Sequence, residues 1–153
     1  MGIYPKKDCQ IRLCLSNNSQ LDGLVNIVGR DIRTFLLDDE SDIVMYEAVN
    51  GEDEKRRPMI VPKKHILWLE VKGCDLAERK MALYRKLKIK LINGQVVSGE
   101  IDITGYDRVS DYVLKNSDLF SEVAEATIDG EIIRSIVFVS TTQYLWVVPD
   151  EDA

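Results

Sequence analysis

Leu87-Lys88-Ile89-Lys90-Leu91-Ile92-Asn93-Gly94-Gln95-Val96-Val97-Ser98-Gly99-Glu100-Ile101-Asp102-Ile103-Thr104 is the stretch from which a fold can be read. Leu87 to Leu91 alternates apolar and basic side chains, the period of a half-buried strand. Asn93-Gly94 is a strong hairpin signal, because both residues tolerate positive φ. On the return, Val97, Gly99, Ile101 and Ile103 share one face, and Ser98, Glu100, Asp102 and Thr104 share the other. A glycine in mid-strand marks a sharp bend or a close backbone approach, and Gly99 holds that position.

Downstream, Gly105-Tyr106-Asp107-Arg108 reads as a turn and Val109 to Leu114 as a third strand. Leu119 to Thr127 either continues it or forms a short extra element, since Glu122, Ala124, Glu125 and Ala126 have fair helix propensity. Asp129-Gly130 is a second hairpin signal. Ile132 to Val139 and Tyr144 to Val148 are β-branched and aromatic runs, parted by Ser140-Thr141-Thr142.

Upstream, the chain reads itself a second time. Shifted by 76 positions, Leu13 falls on Ile89, Leu15 on Leu91, Asn17 on Asn93, Gly23 on Gly99, Ile27 on Ile103, Gly29 on Gly105, Asp31 on Asp107 and Ser41-Asp42 on Ser117-Asp118. A long period of this kind predicts a duplicated structural unit. In the first copy, Gln10 to Ser16, Gln20 to Val28 and Thr34 to Leu37 are the expected first three strands, followed by Asp42 to Val49. Asn50 to Arg57 is a charged loop, and Met59 to Val61 and Ile66 to Val71 close the unit. Pro58 and Pro62 confine the fourth strand to an edge or an end, because proline donates no ladder hydrogen bond. Between the copies, Asp75-Leu76-Ala77-Glu78 fits a capping box and predicts one short helix over about 75–85, with Met81, Leu83 and Tyr84 on its apolar side. The expected units are 8–72 and 73–150.

A short helix followed by five strands, the second bent at a glycine, resembles the Sm-like fold. The resemblance is carried by Lys86 to Val148: the strand–Asn93-Gly94–strand opening, Gly99 with Asp107 beyond it, and the closing pair of short apolar strands. Gly23 and Asp31 carry it in the first copy. It implies a mainly β protein of two tandem, five-stranded, bent small barrels or sheets. Sm-like proteins that bind RNA carry an asparagine four residues after the aspartate, where this chain has Asp111 and Phe35. They also carry a basic pair near the last turn, where this chain has Val139-Ser140, and Pro62-Lys63 or Lys64-His65. The resemblance therefore implies the architecture without the usual RNA site. Sm-like units commonly associate by pairing the fourth strand of one with the fifth of the next. A narrower pattern, Arg108-Val109-Ser110-Asp111-Tyr112-Val113-Leu114 with Phe120 and Ala126, resembles uncharacterised bacterial proteins and brings no function with it.

The 153 residues are 45% hydrophobic and 30% charged, an ordinary globular balance. No apolar run approaches the ~18 residues of a membrane span. The first residues, Met1 to Lys7, lack the apolar core of a signal peptide. A cytoplasmic protein is expected. Cys9, Cys14 and Cys74 have no metal-type spacing and read as free thiols. The net charge of -6 disfavours general nucleic-acid binding unless a local basic patch exists. It falls mostly on the second half, which has nine basic against fourteen acidic residues from Gly73 onward.

Candidate sites are few. Lys86, Lys88 and Lys90 line one strand face downstream of Arg79, Lys80 and Arg85, and with Arg108 and Arg134 they are the candidate nucleic-acid contacts. The same lysines also suit the outer face of an edge strand, guarded against pairing. Asp107, Arg108, Ser110 and Asp111 form a polar cluster that either holds an anion or hydrogen-bonds its own loop. Lys55-Arg56-Arg57 and Lys63-Lys64-His65 read as solvated, and His65 has no adjacent ligand partner. Trp68 and Trp146, in equivalent Leu-Trp pairs, are core residues or partner anchors. No catalytic constellation, metal set or cofactor loop is legible. The sequence predicts a non-enzymatic module that meets a protein partner, or another copy, through strand edges, with RNA or nucleotide binding by the basic stripe as the alternative.

Overall fold

A computed structural model describes residues 8–27, 30–46, 57–72, 81–133 and 135–150. The chain is mainly β. Its strands are β1 (Asp8–Leu15), β2 (Gln20–Asn26), β3 (Asp42–Tyr46), β4 (Pro58–Pro62), β5 (Ile66–Lys72), β6 (Tyr84–Leu91), β7 (Val96–Asp102), β8 (Phe120–Ile128), β9 (Glu131–Ile132), β10 (Ile136–Ser140) and β11 (Tyr144–Pro149). Among the described residues, two short helices, α1 (Ile32–Leu36) and α2 (Val109–Lys115), interrupt the series, and a 3-10 turn spans Lys63–His65.

All pairings are antiparallel, in one open sheet ordered β11-β6-β7-β8-β10-β5-β1-β2-β3-β4, with β9 beside β8. The order β5-β1-β2-β3-β4 thus recurs as β11-β6-β7-β8-β10. The register recurs too. Cys14 lies opposite Trp68 as Lys90 lies opposite Trp146, and Ile11 opposite Val71 as Leu87 opposite Pro149. Both ladders carry an irregularity at the same step, before Leu15 and after Tyr144.

Gly23 and Gly99 meet the expectation of a close approach. A Cβ on Gly23 would lie 2.8 Å from the Tyr46 carbonyl oxygen. One on Gly99 would lie 2.7 Å from that of Ala124 and would collide with Val123 Cγ1. Each glycine lets its strand fold across the next one, which pairs Tyr46 with Ala124 as equivalent positions.

The core divides into two clusters. Ile11, Leu13, Val25, Ile32, Leu36 and Leu69 belong to the first, and Leu87, Ile89, Ile101, Val109, Val123 and Val137 to the second. Each borrows from the other half of the chain: Phe120 and Phe138 lie in the first, Leu67 and Trp68 in the second.

Three local expectations are corrected. Thr34 to Leu37 and Val109 to Leu114 are not third strands. Those segments contain α1 and α2, and the third strand of each run is β3 or β8. Ile32 and Leu36 are buried one turn apart, and Asp31 accepts a hydrogen bond from the Arg33 amide at 2.8 Å as the N-cap. Val109 is buried, and Tyr112 and Val113, three and four positions on, pack against the same core cluster, a helical and not an alternating spacing. The helix expected over 75–85 falls partly at 73–80, outside the described residues. Its remainder is not helical: Tyr84 and Arg85 already belong to β6, whose ladder to β7 begins at Tyr84 opposite Asp102.

Candidate interaction edges

The two runs of strands meet where β10 pairs with β5, with Ile136 opposite Val71, Val137 opposite Glu70, Phe138 opposite Leu69 and Val139 opposite Trp68. Successive side chains of a strand point to opposite faces. On β10, Phe138 enters the first core while Val137 and Val139 enter the second. Every residue of β5 from Ile66 to Val71 is buried. A strand covered on both faces reads as a near-continuous apolar run, as Ile66-Leu67-Trp68-Leu69 does.

Polar contacts reinforce the junction. Arg33 on α1 grips Glu122 on β8 through two bonds, Nε to Oε1 at 2.5 Å and Nη2 to Oε2 at 3.1 Å, and both side chains are mostly buried. The hydrogen bond to Glu122 raises the Arg33 pKa further above its ordinary value. Trp68 Nε1 donates to Gln95 Oε1 at 2.8 Å, Asn93 Nδ2 to Asn18 Oδ1 at 2.9 Å, and Gln143 Nε2 to the Lys64 carbonyl at 3.0 Å.

Among the described residues, the same two strand positions end the sheet uncovered. β11 occupies the place of β5, and β4 the place of β10. Trp68 is 4% exposed whereas Trp146, in the same register, is 41% exposed. Leu67 is fully buried and Leu145 is 60% exposed. Counting from Tyr46 and Ala124, Ile60 on β4 stands where Phe138 stands on β10. Phe138 is 1% exposed and Ile60 65%. Met59 and Val148 are exposed as well. The expectation that prolines hold the fourth strand at an edge is met by β4, bounded by Pro58 and Pro62.

An apolar cavity opens beside β11, lined by Leu87, Ile89, Ile101, Tyr112, Val113 and Val147 among others. At its rim Asn116 Nδ2 donates to the Tyr112 hydroxyl at 3.2 Å, and that hydroxyl is 3.0 Å from Ser121 Oγ.

The lysine stripe is real, but its setting differs from the expectation. β6 is paired on both sides, so Lys86, Lys88 and Lys90 do not guard an edge strand. Lys86 lies opposite Glu100 in the ladder, and Lys86 and Lys88 share a shallow surface cleft with Glu100, Glu125 and Asp150. Carboxylates thus interleave the cations. Arg108 lies beyond β7, just ahead of α2, where its Nε is 3.4 Å from Asp111 Oδ2. Asp107 is exposed in the preceding bend and Ser110 is in the first turn of α2. Arg134, Arg79, Lys80, Lys55 and Arg56 lie outside the described residues.

Lys63 is not a solvated loop lysine. Its side chain is 2% exposed, with Nζ 2.8 Å from Asp38 Oδ1 and 3.2 Å from the Asp38 carbonyl oxygen. Arg30 Nη1 meets the other carboxylate oxygen at 2.8 Å. The hydrogen bond from Lys63, then that from Arg30, hold the Asp38 pKa below the usual range. The expectation of free thiols fails at Cys9, which is disulfide-bonded, and holds at Cys14, a buried free cysteine whose thiol pKa is raised by desolvation. Cys74 lies outside the described residues. Among the described residues no three His, Cys, Asp or Glu side chains converge as a metal set, and no helix is long and apolar enough to cross a membrane.

The chain matches no family model, and no curated protein or solved structure is significantly similar to it.

Proposed function

We propose that this chain is a non-enzymatic interaction and assembly module, built from two degenerate Sm-like repeats at 8–72 and 73–150, that engages its partner by strand pairing. One observation carries this reading. The contact that joins the halves, β10 on β5, buries an edge of each, and the same two strand positions, β4 and β11, stand bare and apolar at the ends of the sheet. Unpaired apolar edges are a liability in a free protein, which argues that they are made to be covered. The recurring strand order, recurring register and matched glycines support the duplication. Joining two units in one chain makes their contact intramolecular and so raises its effective concentration.

RNA binding through Lys86, Lys88, Lys90, Arg108 and Arg134 is the competing reading, and the carboxylates beside Lys86 and Lys88 weigh against it. A gel shift with a random RNA pool at low salt, run beside the K86E/K88E/K90E variant, separates the two. The expected result is no shift for either protein. A wild-type shift that the charge reversal abolishes would replace the module by an RNA-binding protein.

A further inference from the structure

The structure assigns an occupant to the two bare edges: we infer that β4 of one copy adds to β11 of another, head to tail, with Ile60 entering the apolar cavity beside β11. This rests on the interaction-module reading and names its partner.

The template is inside the molecule. In the first half, Phe138 arrives from the neighbouring half and packs in the cluster containing Ile11, Leu13, Val25, Ile66 and Leu69. By register, those five positions correspond to Leu87, Ile89, Ile101, Tyr144 and Val147. All five line the cavity of the second half. The cavity is therefore the space that Phe138 fills one unit earlier, left open because, among the described residues, no strand follows β11 in the sheet. The residue at the Phe138 position of the first half is Ile60, exposed on the opposite end of the same chain. Knob and hole are carried by one molecule, at ends that cannot meet each other except through another copy or by the sheet curling closed.

The internal junction also fixes the register. Phe138 opposite Leu69 translates to Ile60 opposite Val147, Val139 opposite Trp68 to Val61 opposite Trp146, and Val137 opposite Glu70 to Met59 opposite Val148. Ile136 opposite Val71 translates to Pro58 opposite Pro149, two residues without an N–H, which limits the ladder at that end. The polar clamp is not reproduced: Glu122 is replaced by Val44, which is exposed. The intermolecular contact is thus more apolar than the internal one. Because its two surfaces differ, the contact is heterologous and propagates into a ring or an open filament.

The test uses the full chain and two substitutions at exposed positions, Ile60→Lys and Leu145→Lys, each first checked for native circular dichroism. Light scattering across a concentration series should give wild-type masses at multiples of the chain. Each variant alone should be a monomer, since one of its two edges is blocked. An equimolar mixture should recover a 1:1 dimer, built from the intact β11 of I60K and the intact β4 of L145K. A wild type that stays monomeric at every concentration overturns the inference. So does a single variant that still dimerises, which would mean like edges pairing, or a mixture that stays monomeric. None of these results depends on RNA, so failure here is distinct from failure of the interaction-module reading in the gel shift.

Discussion

Two residues make the sharpest local predictions. Gly99 sits where a Cβ would strike Val123 Cγ1 and the Ala124 backbone, so neither strand can give way without losing its register. Gly99→Ala should cost about 1–3 kcal/mol, the range for overpacking a fitted site. Gly23→Ala should cost less, because one of its two close neighbours is the flexible end of Met45; urea unfolding of both variants checks the order. Asp38 is the second case. It neutralises Lys63, whose side chain is 2% exposed, and removing one partner of a buried pair leaves a charge without compensation. Asp38→Ala should cost about 3–5 kcal/mol, and adding Lys63→Met should recover much of it. The sign with pH follows from the lowered Asp38 pKa. The pair contributes fully above the ordinary carboxylate pKa, and that contribution is lost as pH falls through the lowered value. The acid limb of a stability–pH profile should therefore be shallower in the D38A/K63M variant than in the wild type. Lys63 was legible only as one of three basic residues after a proline; nothing local says that a lysine will fold inward to meet a carboxylate twenty-five positions away.

At the scale of elements, the sequence spoke clearly where a pattern was local. The hairpin at Asn93-Gly94, the alternation of β6 and β7, and the edge position of β4 from its two prolines all have physical signatures within a few residues. Thr34 to Leu37 and Val109 to Leu114 read as strands because each is short and mixes β-branched with aromatic residues, a length at which the two periods are hard to distinguish. Asp31, placed to cap with Ile32 and Leu36 one turn apart, was the available signal for α1. Arg108 makes no side-chain cap, so α2 had none of that kind. Strand edges were expected to carry the contact, but the bare end at β11 had no signature of its own. Leu145 and Ile60 look like core residues in sequence, and Trp146 like a core residue or a partner anchor; only the strand order leaves all three bare. The same order makes Arg33 and Glu122, eighty-nine positions apart, a clamp across the junction. A double-mutant cycle with Arg33→Ala and Glu122→Ala should give a coupling of about 1–3 kcal/mol, against near zero for an exposed pair such as Arg12 and Asp22.

For the whole molecule, head-to-tail addition makes the sheet one segment of a longer one, with an internal junction already made and two ends that match it. The mainly β class was legible from period and spacing. That β11 would form the other end was not, because its edge position is set by strand order and not by the strand itself. The most direct measurement is site-specific disulfide trapping of the register. Met59→Cys and Val148→Cys, prepared as separate chains and mixed under mild oxidation, should cross-link into a dimer on a non-reducing gel, because the internal pairing of Val137 with Glu70 places them directly opposite. Ile60→Cys mixed with Val148→Cys should not, since the one-residue shift turns the two side chains to opposite faces. Equal cross-linking in both mixtures, or cross-linking in neither, would contradict head-to-tail addition of β4 to β11.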